Sequence, residues 1–234
     1  MPRKTPQPQV GTPAQEPRRS ADREMIADKI RLDITRGVLG FGQRISESAY
    51  AEACGVSRTP VREALMMLMS LDLVTVRPKH GTFVTSFTKA KLREIFAVRL
   101  LLETGGVEMA NAFQRATLVQ DLDRELARMR APASEPEGFE ARHDGDTVFH
   151  RLLVQAAGNA QLIKMYHPVE VCAMAARSRF PLADWVWDTA VHHHETIVEA
   201  LRRDDLPAFR AALTEHINWS RDALMETSDL FTPS

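Results

Sequence analysis

Only two of the 234 residues are cysteine. Cys54 and Cys172 stand far apart with no metal or redox spacing, which excludes a disulfide framework and fits a reduced cytoplasm. Long apolar runs are also missing. None is sufficient to span a bilayer, and the first residues lack the apolar core of a secretory leader, so the expectation is a cytoplasmic protein with no membrane partner. An excess of one charge is absent too, with 30 Lys and Arg against 31 Asp and Glu for a net −1, a balance that argues against indiscriminate binding to polyanions. That balance hides an asymmetry. Residues up to Thr88 carry 13 basic and 9 acidic side chains and the remainder 17 and 22, so the first part is +4 and the second −5. What the chain does have is apolar residues, 44%, enough for two cores of ordinary size.

Residues 1–19 read as a disordered arm, rich in Pro, Gln, Thr and basic residues with almost nothing to bury. Its Arg3, Lys4, Arg18 and Arg19 are either phosphate contacts or part of a solvated tail. From Ser20, Met25, Ile26, Ile30 and Ile34 recur at helical spacing, and Gly37 and Gly40 end the helix. A short helix over Ile45–Cys54 follows, and Gly55 supplies a tight turn. The next helix opens on Ser57, whose hydroxyl is suited to cap it, with Pro60 in the first turn, where proline costs little. Ser57, Arg58, Thr59 and Arg62 project from its start, and Val61, Ala64, Leu65, Leu68 and Met69 form the core face. Leu73–Arg77 and Thr82–Thr85 are strand-like runs around Pro78-Lys79-His80-Gly81, a hairpin with a basic tip. Helix, turn, helix and wing together predict a winged helix-turn-helix over residues 20–87. Such a unit sets the start of its second helix against base edges in the major groove, where arginine reaches guanine O6 and N7 together. The candidate DNA contacts are Ser57, Arg58, Thr59 and Arg62, with Arg44, Lys79, His80 and Gly81 at the wing and its base.

The run Gly55-Val56-Ser57-Arg58-Thr59-Pro60-Val61-Arg62-Glu63-Ala64-Leu65, with the short helix before it and the glycine-closed wing after it, resembles the GntR family of bacterial transcription regulators. Two positions depart from the family pattern: Tyr50 stands where leucine is common, and Asp72 stands where the family tends to have glycine. Asp still serves a turn after a helix.

Beyond the wing, Thr88 is a plausible cap and the pattern turns helical with no further strand. Helices are expected from Thr88 to about Phe113, over Leu118–Met129, Gly138–Ala157, Asn159 to about Arg177, Ala183–Arg203 and Pro207–Met225, with a two-proline loop at Ala131–Glu137. Six helices make an all-α bundle over residues 88–228, and 229–234 remain as a tail. The fold class is thus mainly α.

Asp146 and His150, four apart on one helix, share a face. His194 and His216 lie at similar distances on either side of the break at Asp204-Asp205-Leu206-Pro207, so in an antiparallel hairpin they reach one level. One carboxylate and three imidazoles would suit a divalent transition metal such as zinc, nickel or manganese. By residues alone the chance spacing of Asp and His, and a polar patch at His192-His193-His194, explain the pattern equally well. The second domain also resembles the FCD effector-binding domain that accompanies a subclass of GntR regulators. There a D-x-x-x-H helix, an H-x-x-I pattern and a final histidine hold a metal, and the matching positions here are Asp146 with His150, His194 with Ile197, and His216. Arg99, with Glu103 one turn on, is either half of a helix-flank ion pair or the partner of an effector carboxylate, for which its planar fork is suited. Asn159 is either a helix cap or an effector contact.

The expectation is a transcription regulator, a repressor by the family's common habit. Operator logic makes it a homodimer on double-stranded palindromic DNA. The resemblance implies a small carboxylate effector, a sugar acid or dicarboxylate, seated on the metal. Two rivals stand beside it: a metal-dependent hydrolytic enzyme, and a regulator whose metal is purely structural.

Overall fold

The first helix opens at Gln15, five residues before the start expected at Ser20, so the end of the expected arm is helical. The computed structural model describes residues 15–130, 136–178 and 184–226; the arm up to residue 14, residues 131–135 of the proline loop, residues 179–183 and the tail lie outside it. The elements are α1 (Gln15–Thr35), β1 (Arg44–Ile45), α2 (Glu47–Cys54), α3 (Arg58–Met69), β2 (Val74–Arg77), β3 (Gly81–Val84), α4 (Lys89–Met109), α5 (Ala112–Met129), α6 (Pro136–Gln155), α7 (Ala160–Arg177), α8 (Asp184–Arg202) and α9 (Leu206–Glu226).

In the N-terminal head, Ile26, Ile30 and Ile34 of α1 are buried, and so are Val61, Ala64, Leu65 and Leu68 of α3, which packs against α1. Met25 and Met69, counted with those faces by spacing, are exposed instead. Ser46 caps α2 by accepting from the Ala49 N–H, so the helix begins after Arg44 and Ile45 rather than at Ile45. Those two residues form β1, which pairs with Phe83 and Thr82 of β3 in an antiparallel sheet of order β1-β3-β2. At the wing tip the His80 N–H donates to the Arg77 carbonyl, with Pro78 second in the turn and Lys79 third at φ 64. Proline followed by a positive φ is the pattern of a type II turn.

The corner between α3 and β2 explains the departure at residue 72. Asp72 has φ 58, the left-handed region where glycine costs nothing and Asp costs less than most residues. Its carboxylate is held by Lys91 Nζ of α4 at 2.7 Å, and next to it the Leu71 carbonyl accepts from the Cys172 thiol of α7 at 3.4 Å. The head is thereby fastened to the C-terminal half. One apolar core runs through both, from Ile26 of α1 through Phe87 and Leu92 to Leu224 of α9.

The six helices of the bundle match the sequence periodicity in number, and Thr88 does cap α4 through the Lys91 N–H. The helix break after α4 was misplaced. It falls at Ala110 and Asn111, where Asn111 and Gln114 form a reciprocal capping box, so Ala112–Phe113 belong to α5. Helices α8 and α9 form an antiparallel hairpin whose turn residue Asp204, at φ 52, is gripped by Arg115 of α5 at 2.6 and 3.1 Å.

Helices α4 and α6 come so close at Gly106 that a Cβ there would lie 2.4 Å from the Leu153 carbonyl oxygen and 2.6 Å from the Val154 Cα. Backbone cannot yield as a side chain does, so this glycine sets the separation of the two helices. Gly105, next to it, has nothing within 4 Å of its Cβ position. Gly106→Ala is therefore expected to destabilise the protein by about 1–3 kcal/mol or more through overpacking. Gly105→Ala is expected to stabilise it by up to about 1 kcal/mol, since alanine is the better helix former. Denaturant titration of the two variants checks both signs.

Candidate metal centre and nucleic-acid interface

At the start of α3, Ser57, Arg58, Thr59 and Arg62 are all exposed. Ser57 occupies the cap position with extended backbone, but its hydroxyl makes no cap hydrogen bond, contrary to the role expected of it. Arg58 has no hydrogen bond or ion pair among the described residues, whereas Arg62 Nε donates to Glu47 Oε2 of α2 at 2.8 Å. At the wing, Lys79 and His80 are exposed at the tip. The Arg44 guanidinium lies over Gly81, its Nε 3.1 Å from where a Cβ would be; with φ 111, that position accepts only glycine without strain. The candidate DNA contacts thus lie on separate supports, the tip of α3 and the wing, with Arg44 on β1 beside it.

In the bundle, Asp146 and His150 of α6, His194 of α8 and His216 of α9 share one buried chamber. His150 Nε2 lies 3.1 Å from His194 Nε2 and 3.1 Å from His216 Nε2. Asp146 Oδ1 is 3.7 Å from His150 Nε2 and 3.6 Å from His194 Nε2. All four donor atoms fall within 4.8 Å of one another. Two ligands each about 2.1 Å from an ion are separated by roughly 3.0–3.4 Å at octahedral or tetrahedral angles, so the imidazole spacing fits one shared cation. The Nδ1 atoms of His194 and His216 are buried with no hydrogen-bond partner in the structure, so these rings are aimed by packing and by what lies between their Nε2 atoms. Phe149 forms part of that packing, its ring centroid 4.2 Å from that of His194.

A second set of polar groups surrounds the chamber. Arg99 is fully buried; its Nε donates to Glu103 Oε1 at 2.7 Å, while Nη1 and Nη2 have no partner. The ion-pair alternative of the sequence expectation is therefore met, with Nη1 and Nη2 left outside it. Glu103 Oε1 also accepts from the Tyr166 hydroxyl at 2.7 Å, and Oε2 lies 2.8 Å from His150 Nδ1. Arg177 forms an ion pair with Asp146 Oδ2, leaving Oδ1 turned to the imidazoles. Asn159 is not at the chamber's polar groups. Its side chain caps α7, accepting from the Gln161 and Leu162 N–H groups, so the capping alternative is met. Tyr166 was not legible as a member of the site, since its partner lies 63 residues away in the chain.

Burial keeps the three imidazoles neutral. It lowers His150 and His216 well below the ordinary histidine value, with the Arg99 charge acting the same way, and lowers His194 to about 4. Burial alone would raise Asp146, but the Arg177 guanidinium and the neighbouring imidazoles outweigh it and hold the carboxyl below the usual carboxylate range. Neutral imidazoles with an ionised carboxylate are the protonation states a metal ion needs.

A winged helix-turn-helix head joined to an all-α bundle is the architecture of a DNA-binding transcription regulator, and the comparisons agree. The bacterial regulatory protein gntR family matches residues 22–84, and the FCD domain matches residues 94–218. The chain is 32% identical over 82% of its length, and 84% of the relative's, to a probable D-xylose utilization operon transcriptional repressor of Paenarthrobacter nicotinovorans. To the gluconate operon transcriptional repressor of Bacillus subtilis it is 27% identical over 86% of this chain and 82% of that one. A GntR regulator structure from Rhodococcus sp. RHA1 superposes with a TM-score of 0.73 at 21% identity, covering 88% of this chain and 98% of the other, and shows the same fold. The chain belongs to the GntR family of transcription regulators, in the group carrying an FCD domain. It is a regulator and not a hydrolase, which removes the enzymatic rival.

Protonation carries a stability consequence. His194 titrates near 6.5 when unfolded and at about 4 in the fold, so between those values the unfolded chain binds more protons. Stability therefore falls as pH drops from about 6.5 towards 4, and Asp146, depressed in the fold, extends the loss to lower pH. Melting temperatures of chelator-treated protein should decline steadily across that window; a flat profile would contradict the assignment.

Proposed function

We propose that the chain is a repressor that binds a palindromic operator as a homodimer, and that Asp146, His150, His194 and His216 hold a divalent transition metal on which a small carboxylate effector sits to release the DNA. The observation that carries the reading is the convergence of three buried Nε2 atoms and one carboxylate oxygen at ion-sharing distances. Zinc, nickel and manganese all suit such a donor set, and the ion would supply a Lewis-acidic seat for a ligand oxygen. Arg99 supports the effector class: its two unpaired Nη groups, buried beside the metal ligands, form the fork that pairs with a carboxylate. The gluconate operon of one relative concerns a sugar acid, which has such a group. Homodimerisation is supported by an apolar stripe on the exposed face of α4, formed by Val98, Leu101 and Met109 and adjoined by Phe113 of α5. At the DNA end, Ser57, Arg58, Thr59 and Arg62 are the base-reading group, and Arg44, Lys79, His80 and Gly81 form the wing contact.

The test pairs operator binding with metal analysis, using an operator selected from random duplexes. Arg62→Ala should weaken the complex by about 1–3 kcal/mol and flatten preference at one base pair; equal loss on all sequences would make Arg62 a phosphate contact. His194→Ala should retain operator binding while losing metal and the response to hydroxy acids such as gluconate. Loss of folding without any effector-specific change would indicate a purely structural metal, and an unchanged response would remove His194 from the site.

A further inference from the structure

One carboxylate outside the four-residue cluster reaches into it. Glu103 is wholly buried on α4, and each of its oxygens is engaged: Oε1 accepts from Arg99 Nε and from the Tyr166 hydroxyl, and Oε2 faces His150 Nδ1 at 2.8 Å. Ion-paired to Arg99, it can only accept, so the proton of the His150 ring must lie on Nδ1. The lone pair is then on Nε2, the nitrogen that faces His194 and His216 at 3.1 Å each. His194 and His216 have no such partner at Nδ1. His150 is thus the one imidazole of the three whose tautomer and ring angle are fixed before anything binds.

We propose that Glu103 is a positioning residue of the metal centre: it locks His150 as the Nδ1–H tautomer with Nε2 presented to the ion, and through Arg99 it ties the carboxylate-binding fork to the same anchor. The proposal rests on the metal reading above. A carboxylate that orients a ligating histidine and raises its basicity is worth about 10–100-fold in metal affinity. The Gly106 crossing is what makes the bond attainable. Gly106 lies one helical turn beyond Glu103 and brings α4 against the backbone of α6, the helix that carries His150.

Two measurements decide it. Long-range nitrogen-15 correlation spectra of the metal-free protein, with the His150 signals identified by their loss in His150→Gln, should show His150 protonated at Nδ1; protonation at Nε2 overturns the proposal. In competition between the protein and a chelator for cobalt(II), Glu103→Gln should bind about 10–100-fold more weakly with an altered cobalt absorption band. Tyr166→Phe, which removes a donor to Oε1 and leaves the His150 bond alone, should remain near the wild-type affinity. Tight cobalt binding by wild type with an unaffected Glu103→Gln overturns the positioning role alone, whereas no binding by wild type overturns the metal reading with it. If Glu103→Gln fails to fold because Arg99 has lost its counter-charge, the tautomer of the wild-type protein decides the matter.

Discussion

The buried ion pair between Arg99 and Glu103 is the constraint around which the C-terminal half is built. Taking a guanidinium and a carboxylate out of water costs several kcal/mol per ion, and their attraction offsets this only when geometry and further hydrogen bonds are good. Glu103 meets that condition by collecting three donors, from α4, α6 and α7. Arg99 meets it only in part, since two of its nitrogens are buried without a hydrogen-bond partner. A group left in that state in a folded protein calls for an explanation, and the carboxylate effector proposed above would supply one. The pair also fixes how α4 lies on α6, because the bond to His150 tolerates little displacement, and the contact at Gly106 holds that displacement small.

Much of this was legible in the sequence because it depends on short-range spacing. Ile26, Ile30 and Ile34 give α1, the strand-like runs around Pro78–Gly81 give the wing, and Asp146 and His150 share a helix face whatever lies opposite. His194 and His216 were placed together by their similar distances from the Asp204 turn, which holds as long as the hairpin is antiparallel. What escaped is what depends on a partner far along the chain. The two-residue strand β1 exists only because Thr82 and Phe83 are there to pair with it. Glu103 read as half of an i, i+4 pair, but its second oxygen answers to a histidine 47 residues on. The engagement of Arg62 by Glu47 across the turn of the helix pair was equally hidden. The capping box at Asn111 and Gln114 is a local signal, and the apolar run continuing past it is what obscured the break.

Helix α7 links the buried polar cluster to the head. Tyr166 binds Glu103, Arg177 binds Asp146, and between them Cys172 donates to the carbonyl of Leu71 at the corner that ends the DNA-reading helix. Asp72 of that corner is in turn tied to α4 through Lys91. The corner therefore rests on the same two helices that supply Glu103, Tyr166 and Arg177 around the Asp/His₃ group. Beside it, a cleft of about 630 Å³ opens between the two halves, walled by α1 and α3 on one side and α6 and α7 on the other.

The continuous core has a consequence for the kind of output this arrangement can give. A head joined by a flexible tether reports occupancy by degrees, because its orientation is averaged over many poses. Here the apolar layer running from Ile26 to Leu224 is shared, and close-packed interiors resist gradual sliding: side chains leave one set of holes only by entering another. A core shared in this way lets the head change its seat on the bundle only in steps, from one packing to another, and not by a continuous slide.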